Sequence, residues 1–293
     1  MTRAIVLLVC GLCSLALQAQ MRLSREQMIH YTPLNKFERF PDGRPKVPEA
    51  LLDRVRTMSV EEAWGVMRQH GYVNQYAGDF QILKPGQKLV GRALTAQYLP
   101  FRPDLASVLD ADAKAAGFTT RTTNKTIDIL ELHDVPVIDL IGAAPGNNYG
   151  GDNLHAAIWG RARTGAVVEG TIRDLEGIAD LPHQVYFRLA HPAAVANVLV
   201  LTINQPVRIG QATVMPGDVV LGDRTGVVFI PPHLVEEIVE KAELTQIKDE
   251  WTKDKLMTGK YKSSEVYGGP LSPELQKEYD AYVKRRLAEK RKQ

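Results

Sequence analysis

At 293 residues the chain can hold one large domain with extensions, and 44% hydrophobic with 24% charged residues is an ordinary globular balance with a sizeable core. A formal net charge of +2 gives no bulk reason for a nucleic-acid partner, and the local basic run Lys284 to Gln293 reads as a solvated helix end.

Arg3 precedes an apolar run from Ala4 to Leu17, and Leu17-Gln18-Ala19 closes it with a small residue, the layout of an export signal. The run is shorter than the about 20 apolar residues that span a bilayer. Cleavage near Ala19 is therefore expected, giving a periplasmic or secreted protein with no membrane association after signal removal. The two cysteines, Cys10 and Cys13, lie inside this run, preceded by Val9 and Leu12 rather than by the small residue that lipidation requires. The mature chain then carries no thiol, which excludes disulfides, cysteine nucleophiles and cysteine-type zinc sites.

Residues 20–47 are polar and interrupted by Pro41, Gly43 and Pro45, and read as an irregular arm on a surface. Helical patterning begins near Pro48, with Leu51, Val55 and Met58 on one face. A second helix is predicted from Val60 to His70, with Ser59 as N-cap and Glu62 completing a capping box. From Gly91 short apolar runs alternate with helix-like stretches, the pattern of an α/β domain. Val135 to Leu140 reads as a buried strand, followed by a glycine-rich loop from Pro145 to Asp152 and a helix from about Asn153 to Arg163. Ala166 to Val168 is the next strand, ending in Gly170-Thr171-Ile172-Arg173-Asp174. Strands are further predicted at Val185–Phe187 and Val198–Leu201, and at Val219–Leu221 and Val227–Ile230 around a hairpin turn at Gly222–Gly226. Pro231 and Pro232 open a helix with Leu234, Val235, Ile238, Val239 and Ala242 on its apolar face, and Ser272-Pro273-Glu274 begins a terminal one. This divides the chain into a signal (1–19), an arm (20–47), an α/β domain (48–245) and a charged C-terminal extension (246–293).

Arg173 and Asp174 stand where a buried strand ends, the place in α/β proteins where side chains reach a crevice from rigid backbone. An arginine there can grip a carboxylate through two parallel hydrogen bonds, and an aspartate can hold a hard divalent cation. Asp152 is a second acid, at the entrance to the preceding helix, where Gly150 and Gly151 let backbone N–H groups approach an anion. Twenty residues separate Asp152 from Arg173, one helix plus one strand, which returns the chain to the same edge.

The stretch from Gly150 to Asp174, GGDNLHAAIWGRARTGAVVEGTIRD, resembles the signature of the RraA-like family, which includes class II 4-hydroxy-4-methyl-2-oxoglutarate / 4-carboxy-4-hydroxy-2-oxoadipate aldolases. Val207 to Pro232, ending MPGDVVLGDRTGVVFIPP, resembles the family's closing β-hairpins and final helix, so the similarity covers roughly residues 50–245. The resemblance implies a swivelling-type α/β/β sandwich with N-terminal helices and a C-terminal helical tail. It implies that Gly151, Asp152, Asn153 and Leu154 line a substrate site largely through backbone, that Arg173 binds a substrate carboxylate, and that Asp174 holds Mg²⁺ or Mn²⁺. The chemistry it implies is retro-aldol cleavage or decarboxylation of a small 2-oxo acid through a pyruvate enolate, with Asp152 as acid/base. The implied assembly is a homotrimer or hexamer with sites between subunits. Where family aldolases carry an acid after the Arg-Asp pair, with two residues between, this chain has Gly177, with Glu176 one place early.

The seven histidines show no metal-ligand pair at helical spacing, and each reads as satisfied or at the surface, His155 being the one near the site. The absence of Gly-x-Ser-x-Gly, P-loop and Gly-x-Gly-x-x-Gly motifs argues against a serine hydrolase, a nucleotide hydrolase or a dinucleotide enzyme. Trp159 reads as core or interface packing. The alternative function is a non-catalytic, ring-shaped binding or regulatory protein of the same family.

Overall fold

The structure is a computed structural model that describes residues 21–118, 123–140 and 147–290. The expected export signal with Cys10 and Cys13, and Pro145 and Gly146 of the glycine-rich loop, lie outside the described residues. The chain opens with helices α1 (Arg25–Tyr31), α2 (Glu49–Arg56) and α3 (Val60–Gln69), then strands β1 (Tyr76–Ala77), β2 (Gln81–Ile82) and β3 (Leu89–Pro100). Next come α4 (Pro103–Ala115), α5 (Asn124–Ile127), β4 (Asp134–Asp139), α6 (Asp152–Ala162), β5 (Ala166–Ile172), α7 (Leu175–Ala179) and β6 (Val185–Ala190). The rest comprises β7 (Val198–Ile203), β8 (Val207–Ile209), β9 (Ala212–Val214), β10 (Val219–Gly222), β11 (Val227–Ile230), α8 (Val235–Met257), α9 (Ser263–Val266) and α10 (Pro273–Lys290).

Four parallel strands, β3–β4–β5–β6, form the centre of a nine-stranded sheet. Antiparallel β10, β11 and β1 extend it beyond β3, β2 caps the other side on β6, and β7 pairs antiparallel with the end of β3. Alternation along β3 sorts the layers. Val90, Leu94, Ala96 and Tyr98 face the helices: α2, α3 and α8 cover the antiparallel part, and α4 to α7 the parallel part. Leu89 and Ala93 face the opposite side, where the hairpin β8–β9 lays Val207, Ile209, Ala212 and Val214 on Val135, Val137 and Val167. The result is the α/β/β sandwich with a helical tail that the sequence implied. Ser59 caps α3 with Glu62 returning to its backbone, as the capping-box spacing predicts.

The arm differs from its expectation of irregular chain. It contains α1, closed by a Ser24–Gln27 capping box, and Met28, Phe40, Arg44 and Val47 are buried. Its anchor is ionic. Arg44 Nη1 donates to Asp134 Oδ2 at 3.0 Å and Nε to Asp42 Oδ2 at 2.8 Å, while Arg92 Nη1 donates to the carbonyl of Val47 at 3.0 Å. The guanidiniums of Arg44 and Arg92 lie 4.7 and 5.3 Å from the ring centroid of Phe40. Arg44→Ala would leave Asp134 buried with only the looser Arg92, 3.6 Å away. Breaking one side of a buried pair of this kind costs about 3 kcal/mol. Urea denaturation of Arg44→Ala is expected to show that loss, and a shift below ~1 kcal/mol would mean that the arm does not stabilise the sheet.

Candidate functional site

The parallel strand β5 ends at Ile172, and the chain leaves it through Arg173 and Asp174. Alongside, residues 148–151 run as an irregular extra strand: Tyr149 N–H donates to Thr171 O at 3.0 Å and Arg173 N–H to Gly150 O at 3.1 Å. Asn148, fully buried, holds this loop by accepting from Gly150 N–H through Oδ1 and donating to His191 O through Nδ2, each at 2.9 Å. From beneath, Thr123 Oγ1 donates to Tyr149 O at 2.6 Å, and the Tyr149 ring meets Tyr98 edge-on at 6.1 Å. Asn148 was not singled out from the sequence; its one signal is an asparagine two residues before a glycine in a turn-forming stretch.

This pairing brings Gly151 against Arg173-Asp174. A Cβ at position 151 would stand 2.1 Å from Asp174 Oδ2 and 3.1 Å from Arg173 Cγ, so any side chain there would displace the Asp174 carboxylate. Asp174 adopts the left-handed region at φ 57°, which turns the chain from β5 into α7. Its carboxylate lies 3.4 Å from Arg173 Nε, the two side chains being 40% and 38% exposed. Nε itself is occluded and makes no hydrogen bond among the described residues. The pair is therefore loose rather than a closed fork, and the guanidinium keeps donors for another carboxylate. Asp152 begins α6, where its Oδ1 accepts from Asn153 N–H at 2.7 Å. Asn153 is exposed, and Leu154 turns its side chain to the core under Gly150.

The Aldolase/RraA model of the RraA-like family matches residues 50–229, more than half of the chain. The chain belongs to the RraA-like family. It is 29% identical over 178 residues to Protein DlpA of Legionella pneumophila, a match covering 60% of this chain and 27% of that protein. It is 34% identical over 97 residues to a candidate 4-hydroxy-4-methyl-2-oxoglutarate aldolase of Halalkalibacterium halodurans, covering 32% of this chain and 46% of the relative. The matches thus span between about a quarter and a half of these relatives' lengths. Among solved structures, Streptomyces coelicolor RraAS2, an unusual member of the RNase ES inhibitor RraA family, superposes with a TM-score of 0.60. That match has 24% identity and covers 72% of this chain and 98% of RraAS2. An uncharacterised Pseudomonas syringae protein gives 0.59 at 19% identity, covering 77% and 94%. Both likenesses concern the fold.

Position 177 of this RraA-like chain has a physical explanation. A Cβ at Gly177 would lie 2.8 Å from Asp152 Oδ2, so Asp152 fills the space that a side chain there would need. Among the described residues, no three His, Cys, Asp or Glu side chains gather closely enough to enclose a metal ion. The donor set is Asp174, with Asp152 nearby. One or two partly exposed carboxylates suit Mg²⁺ or a similar hard ion that retains water.

The expectation that every histidine is satisfied or at the surface fails beneath α6. His155 and His183 are buried with ring centroids 5.2 Å apart, and none of their four ring nitrogens has a partner. Apolar periodicity places His155 on the inner face of α6 but cannot show that no partner meets it there. Burial, then His183, pushes His155 down to about 3, and burial, then Lys84, pushes His183 down to about 4. Their contribution to stability is complete above the ordinary pKa of about 6.5 and is lost as pH falls towards the folded values. Between pH 8 and pH 4 each imidazole should cost on the order of 3 kcal/mol, and His155→Phe should flatten the acid limb of the stability profile. An unchanged limb in chemical denaturation would contradict this. Gly151→Ala is expected to retain the fold, by circular dichroism, while displacing Asp174; a crystal structure of the variant with the Asp174 carboxylate unmoved would refute the close approach.

Proposed function

We propose that this RraA-like protein is a divalent-metal-dependent lyase that cleaves or decarboxylates a small 2-oxo acid through a pyruvate enolate. The observation that carries the reading is the convergence of Arg173 and Asp174 on Gly151, with Asp152 one residue further along. The family membership and the partial match to an aldolase candidate point the same way. Asp174, assisted by Asp152, would hold Mg²⁺ or Mn²⁺. When bound, such an ion supplies Lewis acidity at the 2-oxo group, where negative charge develops. Arg173 orients the substrate by gripping its carboxylate, so that the bond to be broken stands across the 2-oxo π-system. In the aldol case a proton leaves the hydroxyl as the carbon–carbon pair passes into the enolate, and a proton then returns to the enolate carbon. Asp152, at the edge of the same crevice, is the group that holds and returns it. We place the neighbouring wall of the site in a second subunit of a homotrimer or hexamer. On the strength of the N-terminal signal, we place the mature protein in the periplasm or the medium.

Oxaloacetate is the direct test. The purified mature chain with Mg²⁺ or Mn²⁺ is expected to release pyruvate above the free-metal background, and EDTA should abolish it. Asp174→Ala should lose at least about a hundredfold in kcat/KM, and Arg173→Ala should raise KM roughly tenfold or more. Activity that survives both EDTA and Asp174→Ala would overturn the metal assignment. No turnover of oxaloacetate or of 2-oxo acid aldols would leave the ring-shaped binding protein as the reading.

A further inference from the structure

A cavity lies at the edge of the sheet opposite Arg173. Asp218 immediately precedes β10, whose first residue pairs with Arg92 of β3, and Arg92 in turn pairs with Asp134, the first residue of β4. Arg173 instead follows the last residue of β5, so the parallel strands separate the two places. Here a cavity of about 420 Å³ is walled by Tyr31 and Leu34 of the arm, Tyr72, Met215, His233 and Asp218.

Asp218 is the unusual member. It is 3% exposed, and its Oδ2 accepts from Met215 N–H at 2.8 Å. Among the described residues nothing else hydrogen-bonds to its carboxylate and no cation pairs with it. The one basic side chain among the described residues lining the cavity, His233, has its Nε2 3.4 Å from Tyr72 Oη. Burial pushes Asp218 up to about 7. A buried carboxylate without a counter-ion is costly: it either takes up a proton or draws a ligand that supplies the missing charge. The rest of the wall narrows the ligand. Among the described residues Asp218 is the one carboxylate lining the cavity, and the other polar side chains there, Thr32, Asn35, Gln75 and Thr213, are neutral. A single carboxylate offers too little charge to hold a divalent ion, and it repels anions. An organic cation satisfies both parts: its ammonium meets Asp218, its carbon chain meets Leu34 and Met215, and tyrosines attract cations.

We propose that this cavity binds a primary alkylammonium ligand, with Asp218 as its counter-ion and Tyr31 and Tyr72 as aromatic walls. Tyr31, Leu34 and His233 lie outside the segment matched by the family model, 50–229, while Tyr72, Met215 and Asp218 lie within it, so chain beyond the family segment completes the wall. It stands independently of Arg173 and Asp174. A purpose for the embedded arm follows: it forms the outer wall of the cavity.

Isothermal titration of the full mature chain with n-butylammonium, and separately with uncharged n-butanol, tests the site. Saturable binding of n-butylammonium is expected, with n-butanol at least roughly tenfold weaker. Asp218→Asn, which keeps an acceptor for Met215 N–H, should weaken n-butylammonium by at least roughly tenfold. Should that variant not fold, Tyr31→Ala alters only a half-exposed residue of the arm and should weaken binding several-fold. Equal affinity for the charged and uncharged probes, no saturable binding of n-butylammonium, or unchanged affinity in either folded variant would overturn the proposal.

Discussion

The buried carboxylate of Asp134 is the point on which the architecture turns. It begins β4, takes one guanidinium from the arm and faces another from β3, and also accepts from Glu131 N–H at 3.0 Å. A charge in that position must be matched or the strand cannot be buried there. Matching it with Arg44 pulls residues 42–47 onto the sheet, and matching it with Arg92 reinforces the β3–β4 register in which Arg92 pairs with Asp134. With β4 so placed, β5 lies beside it from Val137 to Asp139, and the edge where β5 ends is determined. One ionic cluster thus ties the part of the chain that precedes the family segment to the strands that carry the candidate site.

At that edge the governing constraint is steric. Backbone of the 148–151 loop hydrogen-bonds to backbone at the end of β5, and the Asp174 side chain occupies the space beside Gly151. The Asp152 side chain likewise occupies the space beside Gly177. Two acids and an arginine thus come together from segments 20 residues apart, with two glycines leaving them room. Arg173 meets Asp174 only through a loose contact, which leaves the guanidinium donors for another partner.

What the sequence disclosed follows the range of the interaction. The Ser59–Glu62 capping box, the Gly222–Gly226 hairpin turn and the helix after Pro231-Pro232 rest on contacts within a few residues, and each stands where its pattern put it. The spacing from Asp152 to Arg173 was readable because one helix and one strand have known lengths. The arm was not, because the partner of Arg44 lies 90 residues away and a polar, proline-bearing stretch gives no sign of burial. The long strand β3 was hidden by Gly91 in its first half, which the structure explains. A Cβ there would stand 2.4 Å from His133 O, so the glycine marks close packing rather than a break. His155 and His183 look unremarkable in sequence, since the absence of a partner is a property of three dimensions alone.

Helix α6 joins these themes. Its first turn carries Asp152 beside Gly151, while one turn further in His155 packs between Tyr149 and His183. Tyr149 also belongs to the loop that meets β5, so the imidazole pair lies directly under the elements that fix Gly151. Protonating either ring would place an uncompensated charge there, which the apolar setting opposes. Under the proposed function, loss of turnover in acid then has two causes, loosening of α6 and protonation of an acid/base. The two causes separate by what is lost: titration of an acid/base changes rate in a folded protein, whereas charging the pair lowers stability and rate together. A pH profile of turnover is therefore interpretable only beside a pH profile of unfolding.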